Sequence, residues 1–422
     1  MTNHGILAIV VASVLVGTGS AAGALDTSAR GELGVEGRVF TTDTDDRTDD
    51  YNVAVSGRVD VTASGAAVRA KMRLFGRYDA VDGERTVLVP EEVWLEWRSE
   101  RFRLRAGHQL LNWTATEAFH PADVINSRLF DSAIENPDKF GEPMVSARAQ
   151  LGDGNVELMF MPVFTKPKGP SASSRLRLAA PGLAVDRTIH TDDDGQVDDD
   201  TFVPQWALRA QQTFGSADVS LHAVRHIDRD APVIYYDPER AEVIALFQPL
   251  TQLGGTLQMA SGSVVLKLEA AYRMFEPPSG TIPYLPPVPD RDYGLVAAGV
   301  EYGLVHASGA GSTLLCEAQA ALDYPHEADR LAPLFQRDLL LGYRFAFNDE
   351  DEKSLVVLVI DDLERSEHFM LTGRYSQRLG ERWGIKAGFQ WLHFPARDPA
   401  MPLGFEWLDD ADHIHASLFR YF

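Results

Sequence analysis

RAKMRLFGRYD, residues 69–79, separates into two chemical sets when it is read two residues at a time. Ala70, Met72, Leu74, Gly76 and Tyr78 are apolar or small. Arg69, Lys71, Arg73 and Arg77 are basic, and Phe75 is the one break in that set. Alternation with period two puts successive side chains on opposite faces of a β-strand. A strand with one apolar and one cationic face stands out in a chain whose formal net charge is −22. What the two faces meet depends on how far the pattern extends.

It extends along the whole chain. Tyr51, Val53, Val55, Gly57, Val59 and Val61 alternate with Ser56, Arg58 and Asp60. Phe102, Leu104 and Ala106 alternate with Arg103 and Arg105, and Leu266, Leu268, Ala270 and Tyr272 with Lys267, Glu269 and Arg273. Phe369, Leu371, Gly373 and Tyr375 repeat the pattern. No segment has a persuasive helical period, so the chain reads as all-β. About eighteen strands are expected from near Glu32 to Phe422, with sixteen as the alternative count.

The links between strands alternate short and long. Tight turns are expected at 63–65, 98–100, 152–155, 214–218, 260–262, 348–352 and 379–382, all rich in Gly, Ser, Asp or Asn. The link at 303–312 is the loosest of this set, and after most odd-numbered strands the link is long and polar, as in 41–50, 112–142, 165–204, 274–290 and 394–410. Such asymmetry, with short periplasmic turns and long extracellular loops, characterises transmembrane antiparallel up-and-down β-barrels of the bacterial outer membrane. In residues 383–391, Trp383, Ile385, Ala387, Phe389 and Trp391 share one face. Eight steps of tilted strand rise roughly 20 Å, close to the ~25 Å apolar band flanked by aromatic girdles.

The bulk composition agrees. A mean hydropathy of −0.16 excludes a bundle of membrane helices. The one long apolar run, residues 5–17, is too short to span a bilayer and is followed by Ser20, Ala21, Ala22, Gly23 and Ala24. It reads as a signal peptide over residues 1–24, although its start carries no Lys or Arg, and residues 25–422 then form one domain. The single cysteine, Cys316, leaves no internal disulfide. The expected location is the cell outer membrane, and the expected partners are the lipid bilayer, small solutes and the barrel-insertion machinery, which would read the terminal Phe422. Oligomeric state is left open.

In such a barrel the basic set of the opening stretch faces the lumen. The expected pore lining is Arg69, Lys71, Arg73, Arg77, Glu92, Glu96, Arg103, Arg105 and Gln109. Two readings stay open: a ladder of cross-strand ion pairs that stiffens the wall, or a basic surface that meets a permeating anion. The excess acid lies in loops and turns, as in residues 43–46 and 192–200.

FRLRAGHQLLNWTATEAFHPADVINSRLF, residues 102–130, resembles a porin-like outer-membrane family of undetermined function, related in architecture to alginate-export channels. The matching positions are Arg105, Gly107, Gln109, Trp113, Asp123, Val124, Ile125 and Asn126, then Pro143 and Met144, and Met161 to Phe164. Thr114 stands where that family has glycine, and Ser127 where it has proline. The resemblance covers residues 92–164 and implies a barrel with a transport role; it supplies no substrate.

Enzyme chemistry finds little footing, because the histidines are scattered and neither a Gly-x-Ser-x-Gly elbow nor a His-Glu-x-x-His motif occurs. His413 and His415 share a strand face without a visible third metal ligand. In residues 190–201, Asp192, Asp194, Gly195 and Asp198 match interior positions of a calcium loop, but His190 and Thr201 replace both end ligands. That segment reads as an acidic loop tip, with a low-affinity calcium site as the alternative; no other cofactor is expected. Acidic loops exclude nucleic acid as a partner. The implied function is passive passage of small solutes, anions included; a plugged barrel serving as a surface receptor is the alternative, and an outer-membrane enzyme is third.

Overall fold

The computed structural model describes residues 25–422 except 43–47, 131–133, 181, 193–194, 231, 281, 286–287, 289–290, 325–333, 366 and 401. The expected signal peptide lies outside the described residues. Eighteen strands form one sheet. We number them β1 (Asp26–Phe40), β2 (Tyr51–Ser64), β3 (Val68–Asp79), β4 (Val87–Arg98), β5 (Phe102–Gln109), β6 (Glu142–Leu151), β7 (Gly154–Val163), β8 (Phe202–Phe214) and β9 (Ala217–Ile227). The second half comprises β10 (Pro249–Ser261), β11 (Val264–Phe275), β12 (Tyr293–Val305), β13 (Gly311–Leu322), β14 (Arg337–Ala346), β15 (Ser354–Asp362), β16 (Phe369–Leu379), β17 (Trp383–His393) and β18 (His413–Tyr421).

Each strand pairs antiparallel with its chain neighbours, and β18 pairs with β1 from Tyr421 opposite Glu32 to His413 opposite Phe40. The result is a closed up-and-down barrel of the transmembrane type. The expected count of eighteen holds, and the first strand begins earlier than the alternation suggests. Residues 26–31 lack an apolar face, but their backbone pairs with residues 59–64 of β2. Links of two residues (152–153) to seven (347–353) lie at one end, and links of six (363–368) to thirty-eight (164–201) lie at the other.

Alternation sorts the side chains as expected. Val53, Val55, Leu88, Leu95, Trp206, Leu253, Trp383 and Trp391 are exposed on the outer surface, where the lipid lies. Their neighbours Asn52, Ala54, Ser56, Trp94 and Glu96 are buried inside. Phe75 breaks the basic set because it packs inward against Val87, Val89, Leu129 and Phe140. Two features were not legible in the alternation. Strands Arg187–Thr191, Val197–Asp198, Val233–Asp237 and Glu242–Phe247 form a second, four-stranded sheet within the long links. Pairing of β3 with β4 also slips between Arg73, opposite Glu92, and Leu74, opposite Pro90, which leaves Glu91 as the extra residue of a β-bulge.

The seam depends on the last residue. The Phe422 N–H donates to the Gly31 carbonyl at 3.0 Å, and the Gly31 N–H donates back at 2.9 Å. Arg420 instead lies outside, with its guanidinium 5.8 Å from the Trp383 ring centroid, a cation–π contact worth about 1 kcal/mol at such a site. Deleting Phe422 should therefore lower the yield of inserted barrel sharply, whereas Arg420→Leu should leave it near the native level. Membrane fractionation with heat-modifiable electrophoretic mobility measures both, and equal yields would contradict this account of the seam.

Candidate solute pathway

The link between β5 and β6, residues 110–141, turns into the lumen, and the motif residues are what fold it. Gly107 has φ of +126°, and a Cβ there would collide with the Val93 carbonyl and stand 2.9 Å from the Trp94 Cα. Only glycine suits that position. The Gln109 amide donates to the Met144 carbonyl at 3.2 Å and accepts from the Ser146 hydroxyl at 3.0 Å. Asn126 ties the loop's two stems together: its oxygen accepts the Leu111 N–H at 2.8 Å, and its amide donates to the carbonyls of Gln109 and Phe140 at 2.9 and 3.0 Å.

Asp123 accepts the Trp113 N–H and forms ion pairs with Arg128 and Lys139. Burial pushes the Lys139 ammonium below its ordinary pKa, while Asp123 opposes that shift. Pro143 stands at the start of β6, opposite His108. The two departures from the motif both make hydrogen bonds in this loop. The Ser127 N–H donates to Glu142 at 3.0 Å, a bond that proline could not make. The Thr114 hydroxyl donates to Asn112 at 2.9 Å, and both residues face open space.

Beyond these stems the loop crosses the lumen. Backbone N–H groups of Ala115, Thr116 and Ala122 donate to Glu269 on β11, and those of Glu117 and Ala118 donate to Glu317 on β13. Glu117 pairs with Arg344 at 2.9 Å and Glu135 with Arg374 at 2.8 Å. On the long-link side, Phe119 joins Phe40, Leu176, Leu392, Phe394 and Phe405 in an apolar cluster.

Between the loop and β1–β4 lies a cavity of about 670 Å3, lined by Arg30, Glu32, Arg58, Asp60, Arg73 and Glu91 on the wall and by Asn112, Thr114, Asp138 and Lys139 on the loop. The bulge supplies two successive carboxylates to this wall. Arg58 bonds Glu91 at 2.9 Å and Glu32 at 2.6 Å; Arg73 bonds Asp60 at 2.9 Å and stands 3.4 Å from Glu92. The acids are recessed: the Arg58 and Arg73 side chains are 36% and 30% exposed, against 11% for Glu91 and 12% for Asp60. On this wall the guanidinium groups stand in front of their counter-charges, while the loop adds Asp138 and Lys139, one charge of each sign.

The remaining expected lining residues are placed as follows. Lys71 pairs with Glu92. Arg105 pairs with Glu96 at 2.6 Å and lies 4.0 Å over the Trp94 ring, and Arg69 reaches the same ring at 5.8 Å. Arg103 is exposed near the short-turn end, opposite Arg148. Arg77 is buried and donates to the Arg85 carbonyl at 2.9 Å. Gln109 and Glu96 are also buried, as parts of the wall's framework. Arg30, Glu32, Arg58, Asp60 and Glu91 were missing from the expected set. For Glu91 the available signal was Pro90, since proline inside a strand marks a bulge or an edge; Arg58 and Asp60 already stood on the polar face of the alternation.

In the 190–201 segment, the Asp192 side chain accepts the Gln196 N–H at 2.7 Å and the Asp198 side chain that of Asp200 at 2.9 Å. Asp194 lies outside the described residues.

The sequence matches no known family profile and no curated protein. The fold does have known counterparts. OccAB1 of Acinetobacter baumannii superposes with a TM-score of 0.53 at 8% identity, covering 94% of this chain and 96% of that one. OccK3 of Pseudomonas aeruginosa gives 0.52 at 11% identity over 94% and 95% of the two chains. A BenF-like porin of Pseudomonas fluorescens gives 0.52 at 7% identity over 94% and 98%. At such identities the likeness is one of fold, and the fold is that of outer-membrane porins. It lends no support to a special kinship with alginate-export channels.

Asn126→Ala tests the loop's anchorage. It removes three buried hydrogen bonds and strands a donor and two acceptors, at a cost on the order of 2 kcal/mol or more. The variant should lose heat resistance in the electrophoretic mobility assay and gain protease sites within residues 110–141. A variant as resistant as the native barrel on both counts would remove Asn126 from this role.

Proposed function

We propose that this chain is an outer-membrane channel for passive passage of small solutes, with anions favoured over cations. The observation that carries the reading is the cavity beside the inward loop: a barrel of this strand count leaves room for an aqueous lumen, and polar side chains of loop and wall surround the space that remains. Guanidinium groups standing in front of their carboxylates raise the local concentration of anions. Because Arg58, Arg73, Lys71 and Arg105 each have a carboxylate partner, the preference is modest and depends on salt.

One observation favours a second reading, a closed barrel that serves as a surface receptor. The apolar cluster around Phe119, Leu176 and Phe405 fills part of the lumen on the long-link side. Single-channel recording in a planar bilayer separates the two: steady open current supports the channel, and silence from inserted protein supports the receptor.

Replacing Arg58 and Arg73 together by glutamine uncovers Glu32, Asp60 and Glu91. The reversal potential should move toward cation selectivity in dilute salt and by less in concentrated salt, where a screening length of about 8 Å at physiological strength shortens further. If the arginines serve only the ladder, heat resistance will fall while the reversal potential stays constant at every salt concentration.

A further inference from the structure

We propose that Glu269 and Glu317 set the aperture of the pathway by gripping the backbone of the inward loop. The inference rests on the channel reading and adds its means of regulation. Residues 115–122, ATEAFHPA, offer few side chains that could pack. Phe119 packs in the apolar cluster and Glu117 pairs with Arg344, but most hydrogen bonds from this segment to the wall come from its main chain. The Glu269 carboxylate accepts N–H groups of Ala115 at 2.5 Å, Thr116 at 3.0 Å and Ala122 at 3.1 Å, and the Thr116 hydroxyl at 2.7 Å. Glu317 accepts those of Glu117 at 2.6 Å and Ala118 at 3.1 Å. Three N–H groups converge on one carboxylate and two on the other, and each set makes a concavity with positive potential that suits an ionised carboxylate.

The wall is shaped for this grip. Between the two acids runs β12, where Ala297 stands opposite Glu269 and Gly299 opposite Glu317. A Cβ at Gly299 would approach the Glu317 Cγ to 2.8 Å, so the missing side chain lets Glu317 lie across its neighbour. Both acids are buried, Glu269 completely. Screened from water, their bonds are stronger than the flanking Glu117–Arg344 and Glu135–Arg374 pairs, whose arginines are over a third exposed. The cavity lies along the same loop, lined by Asn112, Thr114, Asp138 and Lys139. The position of the gripped tip thus governs the width of the passage.

The test replaces both acids by glutamine, which keeps their volume but turns one oxygen of each into a donor facing donors. In a Cys316→Ser background, Ala118→Cys reports release of the tip through its reaction with a membrane-impermeant maleimide. The expected results for Glu269→Gln/Glu317→Gln are current that flickers among several levels and a labelling rate raised on the order of tenfold or more, the factor that loss of a hydrogen bond to a charged group brings. Joining Glu117→Cys to Arg344→Cys with a short bifunctional reagent, with Ala118 left native, should restore steady current by holding the tip in place. Native labelling and quiet, native current in a correctly inserted double variant would overturn the proposal. A native barrel that never conducts would overturn the channel reading alone, and the labelling would still decide whether the two acids hold the loop.

Discussion

A strand in hydrocarbon has no water to satisfy its N–H and C=O groups, so every one must find a partner within the sheet. That demand is met only when the last strand returns to the first. The seam between β18 and β1, ending in the reciprocal bonds of Gly31 and Phe422, is where the demand is satisfied. With antiparallel pairing throughout, closure also requires an even strand count. An open edge of this length would be a site for aggregation.

Closure imposes a second constraint, on charge. The inner face is walled off by a low-dielectric sheet, where an unpaired ion is expensive. The wall answers with pairs across neighbouring strands: Arg58 with Glu32 and Glu91, Arg73 with Asp60, Arg105 with Glu96, Arg148 with Glu157. The two readings left open by the sequence are therefore compatible. The pairs stiffen the wall, and their unequal exposure still presents cations to the lumen. The bulge at Glu91 allows this, because it places two carboxylates on one face where regular alternation would turn one of them toward lipid.

What was legible in the sequence is what has a period. Alternation gave the strands and their faces, and link composition gave the two ends of the barrel, because both signals are local. The contacts that shape the pathway are not local. Ala115 and Glu269 meet across 154 positions, and Gln390 and Glu135 across 255. Little in residues 115–122 marks them as lumen-filling, since most of their bonds to the wall run through N–H groups that every non-proline residue owns. The motif of Gln109, Trp113, Asp123 and Asn126 was visible as a pattern. Its role in tying the loop's stems required the geometry.

Backbone recognition also explains how a constriction can survive sequence change. A loop held by side-chain packing must co-vary with its wall, whereas N–H groups donate to a carboxylate whatever side chains the loop carries. Ser127 illustrates the same economy at the stem, where its N–H, and not its side chain, meets Glu142. Buried acids on the wall then fix where the loop runs, and Asn112, Thr114 and Asp138 of the same loop line the cavity beside it. Structural charge thus lies beneath the surface, as the recessed carboxylates behind Arg58 and Arg73 do on the opposite side of the cavity.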